Sequence, residues 1–147
     1  MEMVVKLERG SLRGALLLAF LVLFQIPLLA QSMEDQFERY DLNTEITFTG
    51  ELMNINLPPH GMVTLGLKRG EKLYILYVAP VWFYRELNPN IKIGDQLEIR
   101  GAKLYIPRYG PVFVVRSIRN FRTEEEIIFR TSNFKPLWKM RRGRFNP

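Results

Sequence analysis

The sequence of 147 residues contains no cysteine. This absence excludes disulfides, thiolate metal sites, iron–sulfur clusters, c-type haem attachment and cysteine nucleophiles. A domain without disulfides must be stabilised by its hydrophobic core alone. In an exported protein, that property favours a bacterial periplasm or cell surface over a disulfide-stapled animal protein.

Residues that perform acid–base or nucleophilic chemistry are also scarce. The one histidine, His60, lies in a Pro-Pro-His-Gly loop without an obvious partner, and the chain has no Gly-x-Ser-x-Gly segment. The run Glu124–Glu126 has three consecutive carboxylates, whereas calcium loops alternate their ligands. Asp95 and Glu98 with Arg100 are the only local acidic set, and Asp95 follows a turn glycine. We therefore predict no enzymatic activity, no metal and no cofactor.

Long apolar runs are absent as well. The longest apolar segment, Ala15–Ala30, covers 16 residues and includes Pro27, whereas a membrane-spanning helix needs about 20. Three basic residues precede it: Lys6, Arg9 and Arg13. The small-residue triplet Ala30-Gln31-Ser32 follows, which is the order of a secretory signal peptide. We predict a signal peptide over residues 1–32 and export to the periplasm or the extracellular space; an uncleaved membrane anchor is the alternative.

The chain is moderately basic. It carries 21 lysines and arginines against 15 acidic residues, and the part beyond residue 32 keeps a net charge of +5. Such a charge suits anionic partners such as acidic glycans, extracellular DNA or lipid head groups. The alternative is that it only maintains solubility.

Beyond a polar lead-in at residues 33–43, which we predict to be flexible, short strands alternate with turns. Strands are predicted at 44–54, 62–68, 72–78, 96–106 and 112–118, and residues 127–130 are a candidate for a short additional strand. Pro80 and the pair Asn88-Pro89 delimit one or two helical turns. Gly50, inside the first strand, predicts a bulge or a sharp bend.

Three strands, a short helix and two strands follow one another in the order of the OB-fold, a five-stranded Greek-key barrel. We predict an all-β OB-fold domain at residues 44–133, with a basic C-terminal tail at 134–147. Another small β-barrel or sandwich is the alternative.

Several segments resemble those of small exported bacterial OB-fold (BOF-like) proteins. They are Thr49-Gly50-Glu51, Gly94-Asp95 after the helix, and Leu97-Glu98-Ile99-Arg100-Gly101 in the fourth strand. The resemblance covers roughly residues 44–120 and extends to Pro136-Leu137-Trp138. It implies a fold and a place in the bacterial envelope, and hardly any chemistry.

OB-folds bind ligands on the face of strands 2 and 3, beside the loops that join strands 1–2 and 4–5. Cations beside exposed aromatic rings suit single-stranded nucleic acids and sugar chains. The predicted ligand-binding residues are His60, Lys68, Lys72, Tyr74, Tyr105, Arg108 and Tyr109. The alternative is that these side chains only favour strands and keep them soluble.

The basic tail could contact phosphate or anionic lipid, or remain a solvated end. Its predicted contact residues are Trp138, Lys139, Arg141, Arg142 and Arg144. Trp138 either folds back onto the barrel or docks a partner. The aromatic cluster Trp82-Phe83-Tyr84 lies on the predicted helix, where core packing is the expected use of Trp82 or Phe83.

The sequence thus predicts an exported, non-enzymatic binding protein for an anionic polymer or glycan of the cell envelope. One alternative is an accessory or structural subunit that docks another envelope protein. A further alternative is single-stranded nucleic-acid binding, which the fold favours and export disfavours.

Overall fold

A computed structural model describes residues 35–107 and 109–142 of the chain. Within them, six strands occur: β1 (Ile46–Asn56), β2 (Met62–Arg69), β3 (Lys72–Pro80), β4 (Gln96–Ile106), β5 (Gly110–Asn120) and β6 (Glu126–Ile128). Helix α1 (Val81–Leu87) joins β3 to β4, and helix α2 (Leu137–Arg142) follows β6. The predicted signal peptide at 1–32 lies outside the described residues.

The six strands form one mostly antiparallel sheet that is ring-like. Neighbouring strands follow the order β3-β2-β1-β4-β5-β6, and β3 also pairs with β5. This last pairing is parallel and joins Leu76 to Phe113 and Tyr77 to Val114. The predicted β-rich architecture, with a short helix between the third and fourth strands, is confirmed. The described chain has six strands, where the sequence predicted five and a candidate sixth.

Gly50 has a different use from the predicted bulge. The register of β1 against β2 shifts between Leu52 and Asn54, two residues further on. A Cβ atom on Gly50 would lie 2.6 Å from the carbonyl oxygen of Lys68 and 2.9 Å from the Leu67 side chain. The glycine is therefore needed because β2 approaches β1 closely at that point.

The hydrophobic core fills the interior of the ring. Alternate residues of β1, β2 and β4 point inwards, as Leu97 and Ile99 do on β4. Phe83 of α1 and Trp138 of α2 join this core, each with 1% of its surface exposed. The predicted core role of Phe83 is confirmed, while Trp82 is only partly buried beside it.

The segments before β1 and after β6 pack on the sheet. Phe37, in the lead-in expected to be flexible, is buried in a second cluster with residues of β4 and β5. The guanidinium of Arg130, itself 1% exposed, donates to the backbone oxygens of Phe37, Glu38 and Phe134. Burial lowers the pKa of Arg130 to about 10, and the nearby Tyr40 and Glu38 oppose that shift. A buried cation thus fastens the lead-in to the C-terminal segment.

A second polar network fixes the connection between α1 and β4. The Asp95 carboxylate accepts hydrogen bonds from the Lys92 backbone amide at 2.8 Å, the Asn120 side chain at 2.8 Å and Arg122 Nε at 2.7 Å. The Arg122 guanidinium, helped by these amides and opposed by burial, holds the pKa of Asp95 well below its usual range. Asp95 is therefore an ionised anchor of the fold.

Candidate functional site: a groove between β3 and β5

The sheet topology places the starts of β1, β3 and β5 at one end of the ring. β2 runs antiparallel to both β1 and β3, and β5 runs parallel to β3. Helix α1 begins where β3 ends, so it lies at the opposite end. The end that holds the strand starts is consequently free of α1.

A groove opens at this end because the pairing of β3 with β5 covers only two residue pairs. Pro111, near the start of β5, has no N–H to continue the ladder. The groove in this gap has a volume of about 420 Å³. Its lining comes from four strands and the β4–β5 turn: Ile46, Phe48, Leu73, Tyr74, Ile75, Tyr77, Lys103, Tyr109, Pro111, Val112 and Phe113.

Aromatic rings form the deep part of the groove. The ring centroids of Phe48 and Tyr74 lie 5.2 Å apart, and those of Phe48 and Phe113 lie 5.3 Å apart in an edge-on arrangement. All three side chains belong to the hydrophobic core or pack against it. The floor of the groove is therefore an accessible portion of the core, held in place by its own packing.

A second aromatic group forms one wall. Tyr77 and Tyr109 have ring centroids 6.4 Å apart, and Phe37 stacks on Tyr77 at 4.9 Å. Burial, with a smaller contribution from Tyr109, raises the pKa of Tyr77. The phenol is therefore protonated and available as a hydrogen-bond donor at neutral pH. The lead-in thus supports this wall from behind through Phe37.

Exposed aliphatic side chains and cations surround the opening. Ile46, Leu73 and Ile75 are large hydrophobic residues with exposed surface. Lys103 lines the groove, and its backbone N–H and C=O both bond to the Thr44 hydroxyl at 3.0 Å. The position of this lysine is thus fixed through its main chain.

Further cations stand at the same end of the ring. Arg69 Cζ lies 5.9 Å from the centre of the Phe48 ring, in cation–π range. Lys72, opposite Arg69 across the β2–β3 pair, is exposed at the start of β3. One carboxylate, that of Glu71, is exposed in the turn between Arg69 and Lys72. The groove therefore combines an apolar interior with a surround in which cations outnumber this acid.

The structure brings only part of the predicted ligand-binding set together. Tyr74 and Tyr109 line the groove, and Lys72 starts the strand that forms one of its walls. Lys68 lines a separate shallow depression with Glu51 and Gln96. Arg108 lies outside the described residues.

Two other predicted residues, His60 and Tyr105, do not line the groove. His60 is exposed in the β1–β2 loop. The next residue, Gly61, accepts a hydrogen bond from the backbone of Val81 at the start of α1, which places His60 at the opposite end of the ring. Tyr105 is 71% exposed and lines a different depression with Asp35 and Arg39. Tyr105 is nevertheless the register partner of the groove residue Pro111, so of these two residues His60 is the one at the opposite end of the ring.

The predicted tail contacts are engaged within the fold. Trp138 is in the core, and Lys139 forms an ion pair with Glu38. Arg141 forms an ion pair with Glu86 on α1. Arg142 lies over the ring of Trp82 at 5.7 Å, and Arg144 falls outside the described residues. For Trp138, the structure supports the alternative in which the tryptophan folds back onto the sheet.

A larger depression, of about 550 Å³, lies between the lead-in and the C-terminal segment. Two of its charged side chains, Glu38 and Lys139, form an ion pair with each other. That pairing leaves it less suited to an anionic ligand than the groove.

Sequence reasoning missed Leu73, Ile75 and Lys103 as groove residues. The signal for the first two is the apolar run from Leu73 to Pro80, in which both faces of the strand are hydrophobic. Such a run indicates a strand that needs cover on both sides, yet the outer side of its first half remains exposed. Lys103 carries no comparable signal, because its place depends on the contact with Thr44.

Comparisons with known proteins do not assign the chain to a family. No protein-family model matches the chain, and no curated protein matches it. The resemblance to small exported bacterial OB-fold proteins therefore stays a prediction. In residues 35–107 and 109–142, no three acidic or histidine side chains converge as a metal site. No helix of that part of the chain has the length and apolarity to span a membrane.

Proposed function

We propose that the domain is an OB-fold, with β6 as an addition to the five-stranded barrel. The support is the cycle of pairings: β1 with β2, β2 with β3, β3 with β5, β5 with β4 and β4 with β1. A short helix after the third strand is also typical of this fold. Under this interpretation, the groove is the point at which the barrel wall between β3 and β5 is incomplete.

The protein is, in this proposal, an exported non-enzymatic binding protein for an anionic polymer or glycan of the cell envelope. The carrying observation is the groove itself, in which aromatic rings and Lys103 line one cavity. Export rests on the pattern of the first 32 residues. The expected net charge of +5 beyond that point favours an anionic ligand at long range.

Recognition would combine stacking and charge neutralisation. Tyr109 and Tyr77 offer ring surfaces on which a planar base or the apolar face of a sugar can stack. Lys103 and Lys72 neutralise acidic groups of the same ligand, and each such contact makes binding weaker as salt rises. The protonated Tyr77 phenol adds a hydrogen-bond donor.

The test is the binding of the purified protein to an acidic polysaccharide and to a single-stranded oligonucleotide, each over a salt series. We expect polysaccharide binding that fades with salt. Tyr109→Ala should weaken it by about 1–3 kcal/mol, the usual value of one stacking contact. Lys103→Gln should reduce the salt dependence, whereas Lys92→Gln, an exposed lysine outside the groove lining, should not.

Three results would contradict the proposal in different ways. Tighter binding of the oligonucleotide would favour the nucleic-acid alternative. Absence of binding to both polymers at low salt would favour the protein-docking alternative. Polysaccharide binding that is unchanged in both groove variants would mean that the site lies elsewhere.

A further inference from the structure

The groove is more apolar than a hydrophilic polymer requires. Among the described residues that line it, Lys103 is the one with a charged side chain, and none carries a carboxylate. Leu73 and Ile75 alternate along β3 and present exposed aliphatic surface beside the gap. A sugar or a base can stack on aromatic rings, but it buries little of the apolar surface of isoleucine and leucine. Those side chains are better covered by other apolar groups.

The exposed aliphatic residues are also unusual for their place. Within residues 35–107 and 109–142, the first half of β3 has no strand partner on the side that faces β5, because that pairing begins at Leu76. Unpaired strand edges usually carry charged residues or proline, which discourage association. Here Pro111 protects the β5 side, while the β3 side presents Leu73 and Ile75. This combination is expected where an apolar ligand covers the edge.

We propose that the groove binds the hydrocarbon chain of an anionic amphiphile, with the anionic head group at Lys103. The inference rests on the proposed function and narrows it: the anionic envelope ligand is lipid-linked, and its hydrocarbon chain enters the gap between β3 and β5. The aliphatic pair Leu73 and Ile75 contacts the chain, and the rings of Phe48, Tyr74 and Phe113 form the floor beneath it.

Charge complementarity fixes the orientation of this ligand. Lys103 is the register partner of Phe113 in the β4–β5 pair, and Arg69 lies over Phe48. Two cations therefore flank the aromatic floor. Glu45, next to the groove residue Ile46, is engaged by Arg116 at 3.1 Å and by the Tyr40 hydroxyl at 2.6 Å. Glu71 is exposed in the β2–β3 turn, on the side of Arg69 and Lys72. The head group is accordingly expected at the Lys103 side of the opening.

The size of the groove fits such a ligand. Its volume of about 420 Å³ lies within the roughly 300–1,000 Å³ that pockets for small molecules usually have. A hydrocarbon chain can fill the cavity, while a polymer attached to the head group remains outside in solvent. The groove and the cationic surround then bind two parts of one molecule.

The direct test is calorimetric titration of the purified protein with octyl, decyl and dodecyl phosphate, each below its critical micelle concentration. If added methylenes enter the groove, affinity should rise by roughly fourfold for each fully buried methylene. An affinity that does not depend on chain length would overturn the inference. Dodecyl maltoside, which has the same chain without the charge, should bind more weakly than dodecyl phosphate.

Matched variants locate the binding site. Ile75 and Ile128 are 47% and 49% exposed, but Ile128 lies on β6, away from the groove. Ile75→Asn should reduce dodecyl phosphate affinity at least fivefold, whereas Ile128→Asn should leave it within twofold. Equal losses in both variants would place the amphiphile elsewhere. Because both side chains are exposed, the substitutions should leave folding intact, which the melting temperature verifies.

The head-group position has its own variant pair. Lys103→Gln should lower the affinity for dodecyl phosphate but not for dodecyl maltoside, and Lys92→Gln should change neither. An equal effect of Lys103→Gln on both amphiphiles would exclude the lysine as the anion contact.

Failure of this inference is distinguishable from failure of the proposed function. If a lipid-free acidic polysaccharide binds and the affinity for alkyl phosphates does not change with chain length, the proposed function is retained and the lipid-linked ligand is overturned. Absence of binding to either would overturn both. If the affinity for alkyl phosphates rises steeply with chain length and no polysaccharide binds, the amphiphile site is supported and the polymer is excluded as the ligand.

Discussion

Replacing Asp95 should destabilise the fold more than any change of an exposed carboxylate. The Asp95 side chain is buried and accepts hydrogen bonds from the Lys92 amide, the Asn120 side chain and two nitrogens of Arg122. Its backbone is also used, because the Asp95 carbonyl accepts the amide of Leu52. The carboxylate therefore holds the segment between α1 and β4 against the end of β5.

The magnitude follows from the groups that Asp95→Ala would leave without an acceptor. A donor that loses its partner in a partly or fully buried place costs about 1–3 kcal/mol. The Lys92 amide loses this acceptor, while the Asn120 amide keeps a second bond to the Asn90 carbonyl at 3.1 Å. Arg122 is substantially exposed and regains water, so its ion pair adds little. We expect a loss of about 3 kcal/mol in the free energy of unfolding.

The assay is urea unfolding followed by tryptophan fluorescence, repeated from neutral to acidic pH. The pKa of Asp95 is lower in the folded protein than its ordinary value of 3.8. The stabilisation by the ionised carboxylate is therefore complete above pH 3.8. The contribution is lost as the pH falls towards the folded pKa, at up to about 1.4 kcal/mol per pH unit. The stability difference between the native protein and Asp95→Asn should therefore narrow below pH 3.8.

Glu51→Gln, at an exposed carboxylate on β1, is the control and should change stability by no more than about 0.5 kcal/mol. A stability difference between the native protein and Asp95→Asn that stays constant down to the acid transition would contradict this prediction. In that case, the ionised carboxylate would not be the source of the stabilisation.

Three further outcomes are expected. Gly101→Ala would place a Cβ 2.5 Å from Phe113 Cε1 and should lower the unfolding free energy by about 1–3 kcal/mol. Phe37→Ala should lower the free energy of unfolding by about 3–5 kcal/mol in urea unfolding; a loss below about 1 kcal/mol would mean that the lead-in is not part of the core. Burial raises the pKa of Tyr84 to about 12, and burial with the Glu45 hydrogen bond raises that of Tyr40, so ultraviolet titration should show two late phenols. The contribution of Tyr84 to stability, complete below pH 10, should fall as the pH rises through 12.

Much of the sheet could be predicted from local pattern. The fourth strand has the bounds predicted for it, because Leu97 and Ile99 alternate with polar residues and Gly94-Asp95 marks the preceding turn. The other strands differ by at most two residues at either end. The alternation of apolar and polar residues predicts these strands, since one face of each strand packs on the core and the other faces solvent.

The lead-in and the tail could not be predicted in this way. Phe37 stands in a charged stretch in which Leu42, also large and apolar, stays exposed. Phe37 is buried because Tyr77, Tyr109 and residues of β4 and β5 come together around it after folding. Trp138 stands between a leucine and several cations, and its burial depends on Phe83 and Arg130. Contacts between residues so distant in sequence leave no local signal.

The candidate site could be predicted only in part, because the grouping of its residues also depends on how distant strands come together. Residue types at strand ends and turns identified Tyr74 and Tyr109. The grouping with His60 failed because successive connections alternate between the two ends of the sheet. The β1–β2 loop consequently lies at the opposite end from the β4–β5 turn.

The attachment of Arg130 to the lead-in has a consequence for when the protein can fold. A chain emerges from synthesis or translocation with its first residues ahead, yet Phe37 and Glu38 find their partner more than ninety residues later. The core also waits for Trp138. The early strands must therefore remain incompletely packed until nearly the whole domain has emerged, since such distant contacts form late. Arg130 and Trp138, which lie late in the domain, are thus the residues that complete its native state.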